Sequence, residues 1–227
     1  MRTYAQYCPI VRAVEVLGDR WTLLIVRDML VGASRFNELA RGLPGLSRAL
    51  LSRRLRQLAT AGLVCRTGDG YALTPAGEAL RPLVLGLADW GARYAFGDPR
   101  ADELDPEVLM WWMHGRVDTG TLTRRATIEI RVHDRRRTFW LVLEPGDASV
   151  CYTDPGLEVD AVLAADLATL YQVWEGELDL LDAVRAGRVE LTGPRWVVRG
   201  LPVWFKLSPV AEIVKAARTG QASLQVT

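Results

Sequence analysis

Apolar residues recur along the first hundred positions at helical spacing, in short runs punctuated by glycine. Ile10, Val11, Ala13, Val14 and Leu17 mark a helix that Gly18 ends. Leu23 to Val26, then Met29 and Leu30, mark a second, largely buried helix that stops at Gly32. After a brief extended link at Ser34 and Arg35, Phe36, Leu39, Ala40 and Leu43 share one face of a third. The tight turn Leu43-Pro44-Gly45-Leu46 leads to Ser47, an N-cap for a fourth helix over residues 48–61. Residues 63–67 and 71–73 flank Gly68-Asp69-Gly70 and read as a β-hairpin. A further helix starts at Thr74 and Pro75 and should kink at Pro82; along it Leu80, Leu83, Leu87, Trp90 and Tyr94 follow 3-4-3-4 spacing.

The pattern changes past a polar, proline-containing linker at residues 98–103. Leu109 to Met113 belong to a helix, and 126–133 and 138–143 alternate as strands around Asp134-Arg135-Arg136-Arg137. Strand-like runs follow at 148–152 and 161–164, helices at 166–173 and 180–186, a strand at 189–192, and helices at 201–205 and 210–217. The expected fold class is therefore α+β. Residues 1–97 form an N-terminal winged helix-turn-helix domain, and residues 105–227 form a C-terminal α+β domain.

Charge sharpens this division. The first hundred residues hold 14 arginines against 8 acidic residues, and the remainder holds 14 basic against 19 acidic. Only the first part is expected to meet an anionic partner. The N-terminus lacks the apolar stretch of a secretory signal, and no run approaches the ~18–20 apolar residues that span a bilayer, so the expectation is a cytoplasmic protein with no membrane role. Three separated cysteines without a CxxC argue against a disulfide framework or a structural zinc. The two histidines, His114 and His133, sit on different elements with no ligand-spaced neighbours, and no nucleophile–base pair or glycine-rich phosphate loop is visible. No enzyme activity, cofactor or metal is expected.

The fourth helix carries the sharpest chemistry. With Leu51 at the centre of the buried face, Leu55 and Leu58 fall on the same stripe, while Ala49, Ser52, Arg53 and Arg56 point the other way, at about 100–200° for a 3.6-residue period. Arginine donates bidentately to guanine O6 and N7 in the major groove. Arg53 is the first candidate base reader and Arg56 the second. Ser47, Arg48 and Ser52 suit phosphate, aided by the helix N-terminus. Arg66, in the hairpin, either contacts a phosphate or is merely solvated.

Several runs resemble the HxlR family of bacterial winged-helix regulators. They are Cys8-Pro9-Ile10, Leu17-Gly18-Asp19-Arg20-Trp21-Thr22-Leu23-Leu24-Ile25, Arg35-Phe36-Asn37-Glu38-Leu39 and Leu43-Pro44-Gly45-Leu46-Ser47. Leu51-Ser52-Arg53-Arg54-Leu55, Ala61-Gly62-Leu63-Val64 and Tyr71-Ala72-Leu73-Thr74-Pro75-Ala76-Gly77 continue the likeness across residues 4–97. The resemblance implies transcription regulation by a dimer that represses or activates a promoter through a near-palindromic double-stranded operator. The long stripe after Thr74 suits a homodimer or higher assembly, with packing against the C-terminal domain as the alternative. Some members sense oxidants through an N-terminal cysteine, and Cys8 matches that position, with Arg12 as the one local cation; the competing role is a small apolar residue at a dimer contact.

Six of the eight tryptophans fall after residue 105. Either they fill a core or they wall a cavity for an apolar ligand. The runs Val162 to Tyr171, Trp174 to Leu178 and Ala186 to Gly193 resemble the sterol-carrier-protein-type-2-like fold over residues 105–217. That resemblance implies a tunnel for a small apolar or lipid-like ligand; Trp111, Trp140, Trp174 and Trp204 are the candidate lining residues. The combined expectation is a DNA-binding transcriptional regulator, responsive to such a ligand. The alternative is a lipid-like ligand carrier or storage protein that uses its winged helix only to dimerise.

Overall fold

The computed structural model describes residues 4–224; the first three and last three residues, which fall within the domain ranges expected above, lie outside the described residues. The chain divides into two compact units, Met1–Leu87 and Ala88–Thr227.

The first unit opens with α1 (Pro9–Leu17), which has proline at its first position and Gly18 at its C-terminus. Leu17 is its one buried residue; Ile10 and Val14 are exposed. Helix α2 (Thr22–Leu30) buries Ile25, Val26 and Met29. Before α3 (Phe36–Gly42), the Glu38 carboxylate accepts the backbone N–H groups of Ser34 and Arg35, both at 2.9 Å. Those are donors that a helix N-terminus otherwise leaves unmade. Gly45, at φ 83°, lets the chain turn sharply into α4 (Arg48–Thr60). Ser47 caps α4, its Oγ accepting from Leu50 N at 3.3 Å. Strands β1 (Val64–Thr67) and β2 (Gly70–Leu73) pair antiparallel, Val64 opposite Leu73.

The helix expected from Pro75 onward is in fact two, α5 (Pro75–Glu78) and α6 (Arg81–Tyr94). The physical reason is Pro82. It has no N–H to donate, so it is accommodated in the first turn of a new helix rather than inside a long one. Gly77 is a close-approach residue: a Cβ there would lie 2.2 Å from Leu63 O. Leu80 and Val84 pack against the first unit's core, whose buried centre includes Ile25, Leu39, Leu51 and Leu55. Val84 is the last residue of α6 to do so, which accounts for a unit boundary inside α6 rather than at the polar linker.

The second unit is a five-stranded sheet with helices. Asp105 caps α7 (Pro106–His114), accepting from Glu107 N at 2.8 Å and Val108 N at 3.2 Å. Strands β3 (Ala126–Val132), β4 (Arg137–Glu144) and β5 (Asp147–Cys151) form an antiparallel meander. The chain then crosses to β6 (Ala161–Ala165), parallel to β3, and continues through α8 (Leu167–Trp174) and α9 (Leu180–Arg185) to β7 (Val189–Thr192). The sheet order is β5-β4-β3-β6-β7. Helices α10 (Arg195–Trp204) and α11 (Ala211–Leu224) complete it.

Alternation explains the packing: Ile128, Ile130, Phe139, Leu141, Leu143 and Leu163 all enter one core, and their chain neighbours face the other side of the sheet. Three details differ from the sequence reading. His133 leaves the strand for a 3₁₀ turn. Arg137 belongs to β4 and pairs with Glu107 at 2.6 Å, so only part of the arginine run lies in the turn. Helix α10 begins six residues before Leu201.

Candidate nucleic-acid interface

Helix α4 is held from one side. Leu51, Leu55 and Leu58 are buried, and Arg54, on the flank of that face, pairs with Asp19 and donates to Gln57 Oε1 at 2.8 Å. Sequence reasoning assigned Arg54 no role. Its signal was angular: three positions after Leu51 it returns to within about 60° of the buried direction. The pair joins α4 to the turn before α2, which fixes the pose of the helix on the body.

The remaining side is polar and open. Arg53 and Arg56 are exposed, and Ser52, just before Arg53, is half-buried. Arg56 Nη1 donates to Ser52 Oγ at 2.8 Å, one helical turn back. Arg53 makes no hydrogen bond or ion pair among the described residues. At the N-terminus of α4, Ser47 is exposed, and Arg48 lies over the Phe36 ring at 5.0 Å while donating to Asn37 Oδ1 at 2.6 Å. Arg48, Ser52, Arg53 and Arg56 thus lie on one helix, with Ser47 as its cap. Arg66 stands apart on β1, exposed and 5.7 Å above the Tyr71 ring. The hairpin is anchored to the body where Tyr71 N donates to Ser34 O at 2.7 Å. Arg35 reaches Asp69 at its tip, 3.6 Å away.

Such an arrangement offers guanidinium groups on a rigid helix, beside a hairpin, with their apolar support on the opposite face. That is the layout a groove-entering helix requires.

The other candidates are dispersed. Cys8 is the half-buried N-cap of α1, but Arg12, the cation expected to activate it, pairs with Glu15 at 2.9 Å. Trp174 and Trp204 enter the second unit's core, while Trp140 alternates with Phe139 and Leu141 and so faces the other side of the sheet. Trp111 packs its ring on His114, with centroids 4.5 Å apart. Two tryptophans not singled out from sequence lie against that core. Trp196 sits 5.9 Å from Trp204, and Trp112 meets Tyr171 edge-on at 6.5 Å. Burial in the second unit also pushes the Tyr171 hydroxyl up to about 12, and it donates to Asp105 O at 3.0 Å. Among the described residues, no group of three or more His, Cys, Asp or Glu could hold a metal ion, and no helix is long and apolar enough to cross a membrane.

Comparison with known proteins matches each half to a family. The model of the HxlR-like helix-turn-helix family matches residues 16–98, and that of the SCP-2 sterol transfer family matches residues 122–201. An uncharacterized HTH-type transcriptional regulator of Mycobacterium bovis is 43% identical over 90 residues, 37% of this chain and 56% of that protein. The chain therefore spans little more than half the length of that relative. The HTH-type transcriptional regulator YvaP of Bacillus subtilis is 36% identical over 98 residues, 40% of this chain and 91% of YvaP. Among solved structures, the reduced form of the transcriptional regulator YodB from B. subtilis is 28% identical, with a TM-score of 0.36, covering 40% of this chain and 96% of that one.

Proposed function

The chain belongs to the HxlR-like helix-turn-helix family, and we propose that it is a dimeric, DNA-binding transcriptional regulator whose second domain takes a small apolar ligand. The observation that carries this reading is the two-sidedness of α4, with three buried leucines on one face and the exposed Arg53 and Arg56 on the other. In this reading Arg53 reads a base edge and Arg56 seconds it after leaving Ser52. Ser47, Arg48 and Ser52 hold phosphates at the helix N-terminus, and Arg66 meets the backbone from the hairpin.

Dimerisation is supported by α6. It has no buried residue, and Leu83, Leu87, Trp90 and Tyr94 stand exposed along it, Trp90 at 58% and Tyr94 at 73%. A monomer in water keeps such a row only at a cost, so a second copy of the chain is its natural cover. A two-fold pair would set two α4 helices about 34–36 Å apart, or a multiple of that, matching a near-palindromic operator.

The ligand reading rests on the SCP-2 match and the aromatic core around Trp174 and Trp204. The domains are assigned as residues 1–97 for DNA binding and dimerisation and 105–227 for the ligand. A ligand regulates only if it binds the DNA-bound and free forms with different affinity.

The test is binding to the intergenic DNA upstream of the protein's own gene, against a scrambled duplex, at two salt concentrations. Specific binding should exceed non-specific binding by ~10³-fold or more and fall steeply with salt. Absence of DNA affinity at either salt would sink the regulator and leave the carrier or storage reading.

A further inference from the structure

A cleft of about 380 Å³ opens in the first unit, where the N-terminal segment and α1 face the flank of α4. Its size falls within the ~300–1,000 Å³ typical of small-molecule sites. Most of the charges around it are already compensated. Asp19 pairs with Arg54. Glu15 accepts the Tyr4 backbone N–H at 2.8 Å and pairs with Arg12 at 2.9 Å, and these contacts hold its carboxyl below the usual carboxylate range. Arg53 lines the same cleft and has no partner among the described residues. Both acids of the lining are thus already paired, Glu15 with Arg12 outside it and Asp19 with Arg54, and Arg53 is the lining cation left without a partner.

One further feature suits a ligand with an apolar part. Val14 and Tyr4, 44% and 55% exposed, give the cleft an apolar wall.

We propose that this cleft binds a small organic anion, one carboxylate on a compact apolar body, with the carboxylate on Arg53 and the body against Val14 and Tyr4. Arginine meets a carboxylate through two parallel N–H donors, and no other lining group offers a free cation. A further consequence rests on the regulator reading above. Arg53 cannot serve the anion and a base edge together, so occupancy of the cleft competes with the operator. This site is separate from the apolar ligand site of the second domain.

Benzoate is the probe and methyl benzoate its neutral control, titrated into the full-length protein without DNA. The charge-assisted contact should give benzoate a dissociation constant on the order of 1 mM, with the ester weaker by roughly tenfold or more. The amide resonances of Gly18 and Gln57, both at the cleft, should shift. Arg53→Ala, an exposed position whose loss leaves the fold intact, should weaken benzoate by roughly tenfold or more. Equal binding of acid and ester, benzoate affinity indifferent to Arg53→Ala, or no binding up to ~10 mM overturns the site.

The second arm measures operator affinity with sodium benzoate against equimolar sodium chloride, so that ionic strength is held fixed. Competition predicts a loss of about tenfold when benzoate stands near ten times its dissociation constant. Benzoate bound through Arg53 with operator affinity unchanged overturns the competition and leaves the site. A protein that binds no operator overturns the regulator reading, and the first arm still decides the cleft.

Discussion

Helices α4 and α6 are 13 and 14 residues long, and both repeat leucine at helical spacing, yet they end in opposite conditions. In α4 the stripe is covered: Leu51, Leu55 and Leu58 are buried and the outward face is arginine and serine. In α6 only the first turn reaches the core, through Leu80 just before it and Val84 within it, and Leu83, Leu87 and Trp90 stay in water. Periodicity tells which residues share a face; it does not tell what covers the face. In the proposed reading the uncovered stripe of α6 belongs to a second copy of the chain and the polar face of α4 to DNA, and each can be broken separately.

The largest effect should come from the covered stripe. Leu51→Ala removes a side chain with no exposed surface and leaves a cavity, so unfolding free energy should drop by about 2–5 kcal/mol, read by urea or thermal denaturation. A drop under ~1 kcal/mol would mean that α4 is not held as described. The uncovered stripe should answer differently. Trp90→Glu places a charge where a second copy would pack, and should weaken self-association by about 2–4 kcal/mol, visible by sedimentation as a shift toward monomer. Unchanged association would remove α6 from the interface and return its apolar row to an unexplained exposure.

How much of this was legible in the sequence differs between backbone and side chains. The strands β3, β4 and β7 could be read because alternation is a local signal: Val189-Glu190-Leu191-Thr192 shows it in four residues. Helix α10 was legible only from Leu201. Its first turns, Arg195 to Gly200, combine paired valines with a glycine, which argues against a helix by propensity. The glycine is there for packing: a Cβ on Gly200 would lie 2.2 Å from the Trp204 ring. The outward arginines of α4 followed from the 100° step alone. The pair between Arg54 and Asp19 did not, since no local rule connects residues that far apart. The free state of Arg53 likewise depends on which acids its neighbours have already taken.

Arg53→Ala sharpens the comparison on the polar side. Loss of a bidentate base contact should cost about 1–3 kcal/mol on the specific duplex and little on a scrambled one, measured by fluorescence anisotropy at matched salt. Arg48→Ala should weaken both duplexes alike and lower the salt slope by about 1, because a phosphate contact carries no sequence information. An equal loss on both duplexes for Arg53→Ala would reassign it from base reader to phosphate contact.

The smallest expected effect separates support from recognition at one residue. Ser47 caps α4 through Leu50 N and stands exposed beside the helix terminus. Ser47→Ala should cost about 1 kcal/mol of stability through the lost cap. Ser47→Asp keeps a capping oxygen and suits the positive end of the helix dipole, so it should restore that stability. If a phosphate approaches this terminus, the same aspartate repels it, and operator affinity should then fall further in Ser47→Asp than in Ser47→Ala. The more stable variant would be the weaker binder. Affinity that simply tracks stability across the two variants would make Ser47 a cap and nothing more, and would move the phosphate contacts of α4 onto Arg48 and Ser52.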